Sequence, residues 1–175
     1  MAVILRPATE SDFPAIVSLM NIAFRGAEGW SIEGEHITGE RTSISLLTEE
    51  SDKGAFYLLA TDEATSTLKG CVSLQPATPE KWYLGSLTVQ PALQNSGFGR
   101  ELLAAAEQYA AANGARTIEM TVVHVREPLI SWYERRGYRR TGQTRPFPYD
   151  DTRYGTPTRP DLVFVVLEKH IGPTP

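Results

Sequence analysis

The sequence predicts one α+β domain built around a mixed β-sheet. The 175 residues are enough for a single domain with a sizeable core. Short apolar runs with strand character alternate with segments of helical periodicity, in the order β-α-α-β-β-β-α-β-α-β-β. No stretch has the composition of an interdomain linker. We therefore expect one domain over residues 1–170 and a C-terminal tail at 171–175.

The first half of the chain predicts a strand and two helices, followed by a three-stranded meander. Pro7 stops a short apolar run, and apolar side chains then recur at helical spacing from Phe13 to Phe24. Connections rich in Thr, Asp, Ser and Pro separate the strands of the meander. The expected elements are a strand at 3–6, helices at 13–24 and 37–50, a loop at 25–36, and strands at 55–61, 68–75 and 82–89.

In the second half, an Ala-rich helix begins at Gly97 and ends at the cap Asn113-Gly114. Pro128 suits the first turn of another helix, which Gly137 ends. Four prolines between residues 145 and 160 predict a long loop. The remaining strands are expected at 118–122, 138–144 and 162–167.

Composition argues against several classes of protein. The formal net charge of −4 disfavours a broad nucleic-acid footprint, which requires clustered basic residues. Cys71 is the single cysteine, so an internal disulfide and a thiolate metal cluster are excluded. No apolar run approaches the ~18 residues of a membrane span, and the N-terminus lacks the basic region of a signal peptide. We expect a cytoplasmic protein without metal, membrane or nucleic-acid partners.

The segment Gln94-Asn95-Ser96-Gly97-Phe98-Gly99-Arg100 predicts an anion site because it joins a strand to a helix N-terminus. Backbone N–H groups there lack internal partners, and the helix dipole favours negative charge. Gly97 and Gly99 open access to those amides, while Gln94 and Arg100 add donors. A dinucleotide fingerprint would require Gly where the chain has Leu102, and a Gly-Lys phosphate loop is absent. A structural turn without a ligand remains an alternative.

Two motifs together resemble the GNAT superfamily of N-acetyltransferases. Gln94, Gly97 and Gly99 match its Gln/Arg-x-x-Gly-x-Gly/Ala cofactor motif, and residues 129–138 resemble its later helix with Tyr, Gly and an aromatic residue. The opening residues 4–8 with Asp12 look like its usual start. The resemblance implies a GNAT-like mixed, mostly antiparallel sheet flanked by helices. It also implies transfer of an acetyl group from acetyl-CoA to a primary amine of a small molecule or peptide, by direct attack in a ternary complex.

The resemblance also assigns roles to residues. Tyr133 takes the place of the general acid, and Arg126 stands where many members carry Asn against the cofactor arm. Arg126 could bind a cofactor phosphate or be a solvated charge. The expected coenzyme A contacts are the strand residues Leu87, Thr88 and Val89, the loop and helix residues Gln94, Asn95, Ser96, Gly97, Phe98, Gly99 and Arg100, and Arg126.

The acceptor is the least determined part of the sequence. Trp30, Glu33 and Glu35 lie in the loop that usually borders the acceptor pocket in related enzymes, and Asp150 and Asp151 are further candidates for the base. Exposed surface carboxylates are the simpler interpretation of all four acidic side chains. A non-catalytic acyl-CoA sensor is the main alternative function, and a homodimer is compatible with the resemblance. A nucleic-acid modifier would use the basic cluster Arg135, Arg136, Arg139 and Arg140, which a solvated face explains more simply.

Overall fold

A seven-stranded mixed sheet forms the centre of the computed structural model, which describes residues 3–26 and 34–172. Neighbouring strands are antiparallel except for β5 and β6, which are parallel. The strands are β1 (Arg6–Pro7), β2 (Ile37–Thr38), β3 (Phe56–Thr61), β4 (Leu68–Pro76), β5 (Lys81–Val89), β6 (Thr117–Val123), β7 (Arg139–Pro146), β8 (Thr156–Pro157) and β9 (Val163–His170). The order across the sheet is β1-β3-β4-β5-β6-β9-β7, and β2 and β8 form a separate ribbon. The predicted fold class is confirmed.

Helices cover both faces of the sheet. They are α1 (Phe13–Arg25), α2 (Ile44–Asp52), α3 (Phe98–Ala112) and α4 (Glu127–Glu134). Alternate residues of β3 point to opposite faces. Tyr57 and Leu59 pack with α1 and α2, whereas Leu58 and Ala60 pack with α3 and α4. None of the helices described for this chain has the length and apolarity needed to cross a bilayer.

The predicted second helix is wrong over its first seven residues. Residues 37–38 instead form β2, which pairs with β8, and Gly39 adopts a left-handed conformation with φ of +85°. The helix begins at Ile44 because the Ser43 side chain caps it by accepting a hydrogen bond from the Leu46 amide at 3.2 Å. The predicted loop at 145–160 likewise contains β8 and a short helical turn, Thr152–Tyr154.

The central strands β5 and β6 separate in the direction of the chain. Their pairing is confined to Lys81–Tyr83 and Thr117–Glu119. On its other side, β5 carries one residue more than β4, because Thr88 faces Cys71 while Gly85 already faces Ser73. Ser86 in this bulge has φ of +52°, which is uncommon for a residue with a side chain. The bulge bends β5, so the sheet opens beyond Tyr83.

Candidate active site

A cavity of about 890 Å³ lies where β5 and β6 separate. Its walls come from both strands, from the loop before α3, from α4, and from α1 and the region of α2. A volume of this size is typical of sites for small molecules and cofactors. The lining residues that the sequence predicted for coenzyme A are Leu87, Thr88, Val89, Gln94, Asn95, Ser96, Gly97, Gly99, Arg100 and Arg126.

The loop before α3 is a preformed turn. Asn95 and Gly97 both have positive φ, +62° and +86°. The Ser96 hydroxyl donates to the Leu93 carbonyl at 2.5 Å and accepts from the Phe98 amide at 3.4 Å. The first turn of α3 therefore faces the cavity with a fixed backbone. Of the predicted loop contacts, Phe98 alone has a side chain that turns away, toward Gly70 and Lys69 in β4.

The two glycines of the motif differ in what they require. Gly97 needs the left-handed region, which disfavours any other residue except Asn or Asp. Gly99 is helical, and a Cβ there would meet Trp132 and Val89 at 3.7 Å, which is ordinary contact. The Gln94 side-chain amide donates to the Val89 carbonyl at 3.2 Å, so it braces the loop against β5.

Three arginines form a positive cluster at the end of the cavity that adjoins the first turn of α3. Arg100, Arg135 and Arg136 all line it, and none has a carboxylate within 4.0 Å among the described residues. Burial and the charges of Arg135 and Arg100 lower the pKa of Arg136. The Arg136 guanidinium stacks 4.2 Å from the Trp132 ring, and its buried Nε lacks a hydrogen-bond partner within the described parts of the chain. Uncompensated guanidinium groups beside a helix N-terminus favour a polyanionic ligand.

The four arginines that the sequence groups together, at positions 135, 136, 139 and 140, therefore do not share one environment. Arg135 and Arg136 belong to the cavity, which the sequence did not reveal, because the direction of a side chain at the end of α4 depends on tertiary packing. Arg140 instead pairs with Glu127 at 2.7 Å. The interpretation of all four arginines as one solvated face is wrong for Arg136, which is partly buried.

Tyr133 lies on α4 with its ring buried and its side chain against the cavity. It packs edge-on to Trp132 and Tyr138, with ring centroids 5.1 and 5.7 Å away. Burial raises the pKa of the Tyr133 phenol, and the positive charge of Arg126 partly opposes that rise. The hydroxyl is therefore protonated at neutral pH. Arg126 is itself buried at 8% exposure, so the solvated-charge alternative for it is wrong.

The residues predicted for the acceptor are not gathered at the cavity. Trp30 and Glu33 lie outside the described residues, and Glu35 is exposed and does not line the cavity. Asp151 binds Arg153 at 2.9 Å, which lowers its pKa. On the side toward α1 and α2, the cavity is lined by Arg41 and Glu50, for which the sequence gave no signal. The described residues contain no cluster of three or more side chains that could hold a metal ion.

The architecture is similar to that of solved acetyltransferases. A ribosomal-protein-S18-alanine N-acetyltransferase from Escherichia coli has a TM-score of 0.70 at 17% identity, covering 98% of this chain and 96% of that one. An aminoglycoside 6'-N-acetyltransferase complexed with coenzyme A has 0.70 at 18%, covering 98% and 99%. A GNAT family acetyltransferase from Elizabethkingia anophelis with acetyl-CoA bound has 0.67 at 18%, covering 97% and 98%.

At these identities the structural likeness shows the fold alone. A search of curated protein sequences gives no match. Family membership rests on the sequence itself. The family model described as the acetyltransferase (GNAT) family matches residues 14–138, well over half of the length, and the chain therefore belongs to the GNAT acetyltransferase family.

Proposed function

We propose that this protein is an N-acetyltransferase that uses acetyl-CoA to acetylate a primary amine of a small molecule or peptide. The observation that carries the proposal is the continuity of one cavity. It runs from the gap between β5 and β6 to the first turn of α3 and to Arg100, Arg135 and Arg136, which have no carboxylate partner among the described residues. A long ligand with an amide-bearing arm and phosphates at one end matches both parts.

The chemistry of the lining residues fits coenzyme A. Beyond Tyr83, the edge of β5 that faces β6 is open, so its backbone groups are available to the amides of a pantetheine arm along Leu87–Val89. The main-chain amides of the loop and of α3 would take the pyrophosphate, with Arg100, Arg135 and Arg136 supplying charge. Arg126, which is buried and lines the cavity, remains a proposed contact to a cofactor phosphate.

Acetyl-CoA supplies a thioester whose acetyl group passes to the amine and whose sulfur leaves as a thiol. Main-chain amides near the Ser86 bulge are suited to donate to the carbonyl oxygen as negative charge develops on it. Tyr133 holds a proton at neutral pH and is proposed to give it to the departing sulfur. Its buried ring fixes the hydroxyl direction, which a surface Tyr would not.

The test combines binding with turnover. We expect calorimetry to show saturable binding of coenzyme A, and much weaker binding of pantetheine, which lacks the pyrophosphate proposed to contact the loop and the arginine cluster. Release of free thiol from acetyl-CoA should depend on an added amine. Binding without release across a broad panel of amines and peptides would instead favour the acyl-CoA sensor. Absence of coenzyme A binding would refute the proposal.

A further inference from the structure

The cavity also reaches beyond Ser86 into a second polar region, whose described residues come from α1, from α2 and from Arg41 just before α2. This region is defined by Arg41 and Glu50 and has an apolar wall of Phe24, Phe147 and Tyr154. All five side chains are partly buried. Because it lies beyond the bulge from the proposed coenzyme A site, it is where an acceptor would meet the acetyl group.

Arg41 is a cation with only uncharged contacts among the residues that the structure describes. Its Nη2 lies 3.4 Å from the Ser86 hydroxyl, and its guanidinium is 5.1 Å from the centroid of the Phe24 ring. Among the described residues, no carboxylate lies within 4.0 Å of it. A guanidinium held in a cavity by a hydroxyl and a ring face keeps donors for a planar carboxylate, which it binds in a bidentate manner.

Glu50 provides the opposite charge. The Tyr57 hydroxyl donates to its Oε2 at 3.2 Å, which occupies one of the roughly four acceptor positions of a carboxylate. Burial raises the pKa of Glu50, while Tyr57, Arg41 and Lys53 oppose the rise and Glu49 adds to it. Tyr154 also faces Glu50 and feels its charge. The carboxylate is thus a stronger proton acceptor than a surface Glu and attracts an ammonium group.

Arg41 and Glu50 line the same cavity, and Glu50 accepts the hydrogen bond of Tyr57, whose pKa burial raises most and the charges of both residues also affect. They do not form a salt bridge, so neither neutralises the other at contact distance. We propose that this region binds an acceptor carrying both a primary amine and a carboxylate, that is, an amino acid with an apolar side chain. Arg41 binds the carboxylate, Glu50 receives the ammonium, and Phe24, Phe147 and Tyr154 pack the side chain.

The proton balance is complete with these groups. Glu50 accepts one proton from the ammonium, which frees the nitrogen lone pair. The C–N bond forms as the C–S bond breaks, and the sulfur takes the Tyr133 proton. The second nitrogen proton restores Tyr133, and Glu50 then releases its proton to solvent. The net products are the amide, the free thiol and one proton.

This inference rests on the proposed function, so the test separates the two. Phenylalanine, phenylalaninamide and phenethylamine share one apolar body and differ in the carboxylate. We expect kcat/KM for phenylalanine to exceed that for the other two by at least about tenfold, because a binding site with an unpaired charge rejects the neutral analogue. Arg41→Gln should abolish the preference by raising KM for phenylalanine far more than KM for phenethylamine. Arg140→Gln, at an exposed ion pair, is the control.

Glu50→Gln should lower kcat for every acceptor and remove the acidic limb of the pH–rate profile. The sign follows from the raised pKa of Glu50, because the base form is lost as pH falls through that value. Glu49→Gln changes the neighbouring carboxylate, which pairs with Arg153 and does not line the cavity, and should keep the limb, moved to lower pH because Glu49 raises the pKa of Glu50. Coenzyme A binding and amine acetylation without a carboxylate preference, or a preference retained in Arg41→Gln, would overturn the inference and leave the proposed function standing.

Discussion

Alanine substitution at Gly97 tests whether the turn before α3 is built for an anion. The φ of +86° places the new side chain in the left-handed region, which costs about 1–2 kcal/mol for a residue with a Cβ. The added Cβ meets no close obstacle, since its nearest neighbour is Arg100 Nη2 at 3.6 Å. The cost is therefore conformational. At about 2–4 °C per kcal/mol for a chain of this size, Tm should fall by roughly 2–8 °C.

The expected effect of Gly97→Ala on the affinity for coenzyme A has a separate origin. Relief of the strain rotates the backbone amides of the turn away from the cavity, and loss of one hydrogen bond to a charged group costs about 1.5–3 kcal/mol. We expect Kd for coenzyme A in Gly97→Ala to rise by roughly ten- to a hundredfold. Calorimetric titration measures it directly, and urea unfolding without ligand gives the free energy of unfolding.

Gly54 provides the matched control. Its φ of +99° carries the same conformational cost, and nothing lies within 4 Å of an added Cβ. Gly54→Ala should lose as much stability as Gly97→Ala and keep its affinity for coenzyme A. Gly99→Ala should keep both, with up to about 0.5–1 kcal/mol gained from the helix. Equal loss of affinity in Gly54→Ala and Gly97→Ala would refute the reasoning, because the effect would then follow stability alone.

Three further outcomes follow from the site. Tyr133→Phe should lower kcat by about 10²–10⁴-fold in the thiol-release assay while Kd for coenzyme A stays unchanged, and an unchanged kcat would exclude its role as the acid. Arg136→Gln should weaken coenzyme A binding and reduce its dependence on salt, whereas Arg140→Gln should alter neither. Deletion of Ser86 should restore the regular β4–β5 register and abolish coenzyme A binding in a folded protein, with circular dichroism to monitor the fold. Ser86→Gly should retain binding, because glycine tolerates the positive φ.

The elements that the sequence predicted correctly have local causes. The helical period from Phe98 to Ala112 and the glycine cap after it depend on neighbouring residues, so they can be recognised without knowing the fold. The same holds for α1 and for strands β3 to β5. The helix predicted over residues 37–43 does not form, because β2 pairs with β8, about 120 residues later. No local sequence pattern indicates that pairing.

The residues of the site likewise differ in whether the local sequence reveals them. Gly97 could be identified because a left-handed turn at a helix start leaves a glycine in the sequence. Arg41 and Glu50 could not, because one lies in an irregular segment and the other near the end of α2, and only the tertiary fold brings them to one cavity. The partial burial of Arg136 could not be predicted either, since it depends on Trp132 and on the opening of the sheet.

The Ser86 bulge links the donor and acceptor halves of the proposed site. One extra residue in β5 interrupts regular pairing with β4 at that point and bends the strand away from β6, which opens the gap proposed for the pantetheine arm. The same positive φ turns the Ser86 hydroxyl toward Arg41, which it helps to hold in the acceptor region. Strain at a non-glycine residue persists only where the surrounding structure enforces it. Here the paired segments on both sides of the bulge enforce it, so one backbone irregularity sets the positions that we propose for both substrates.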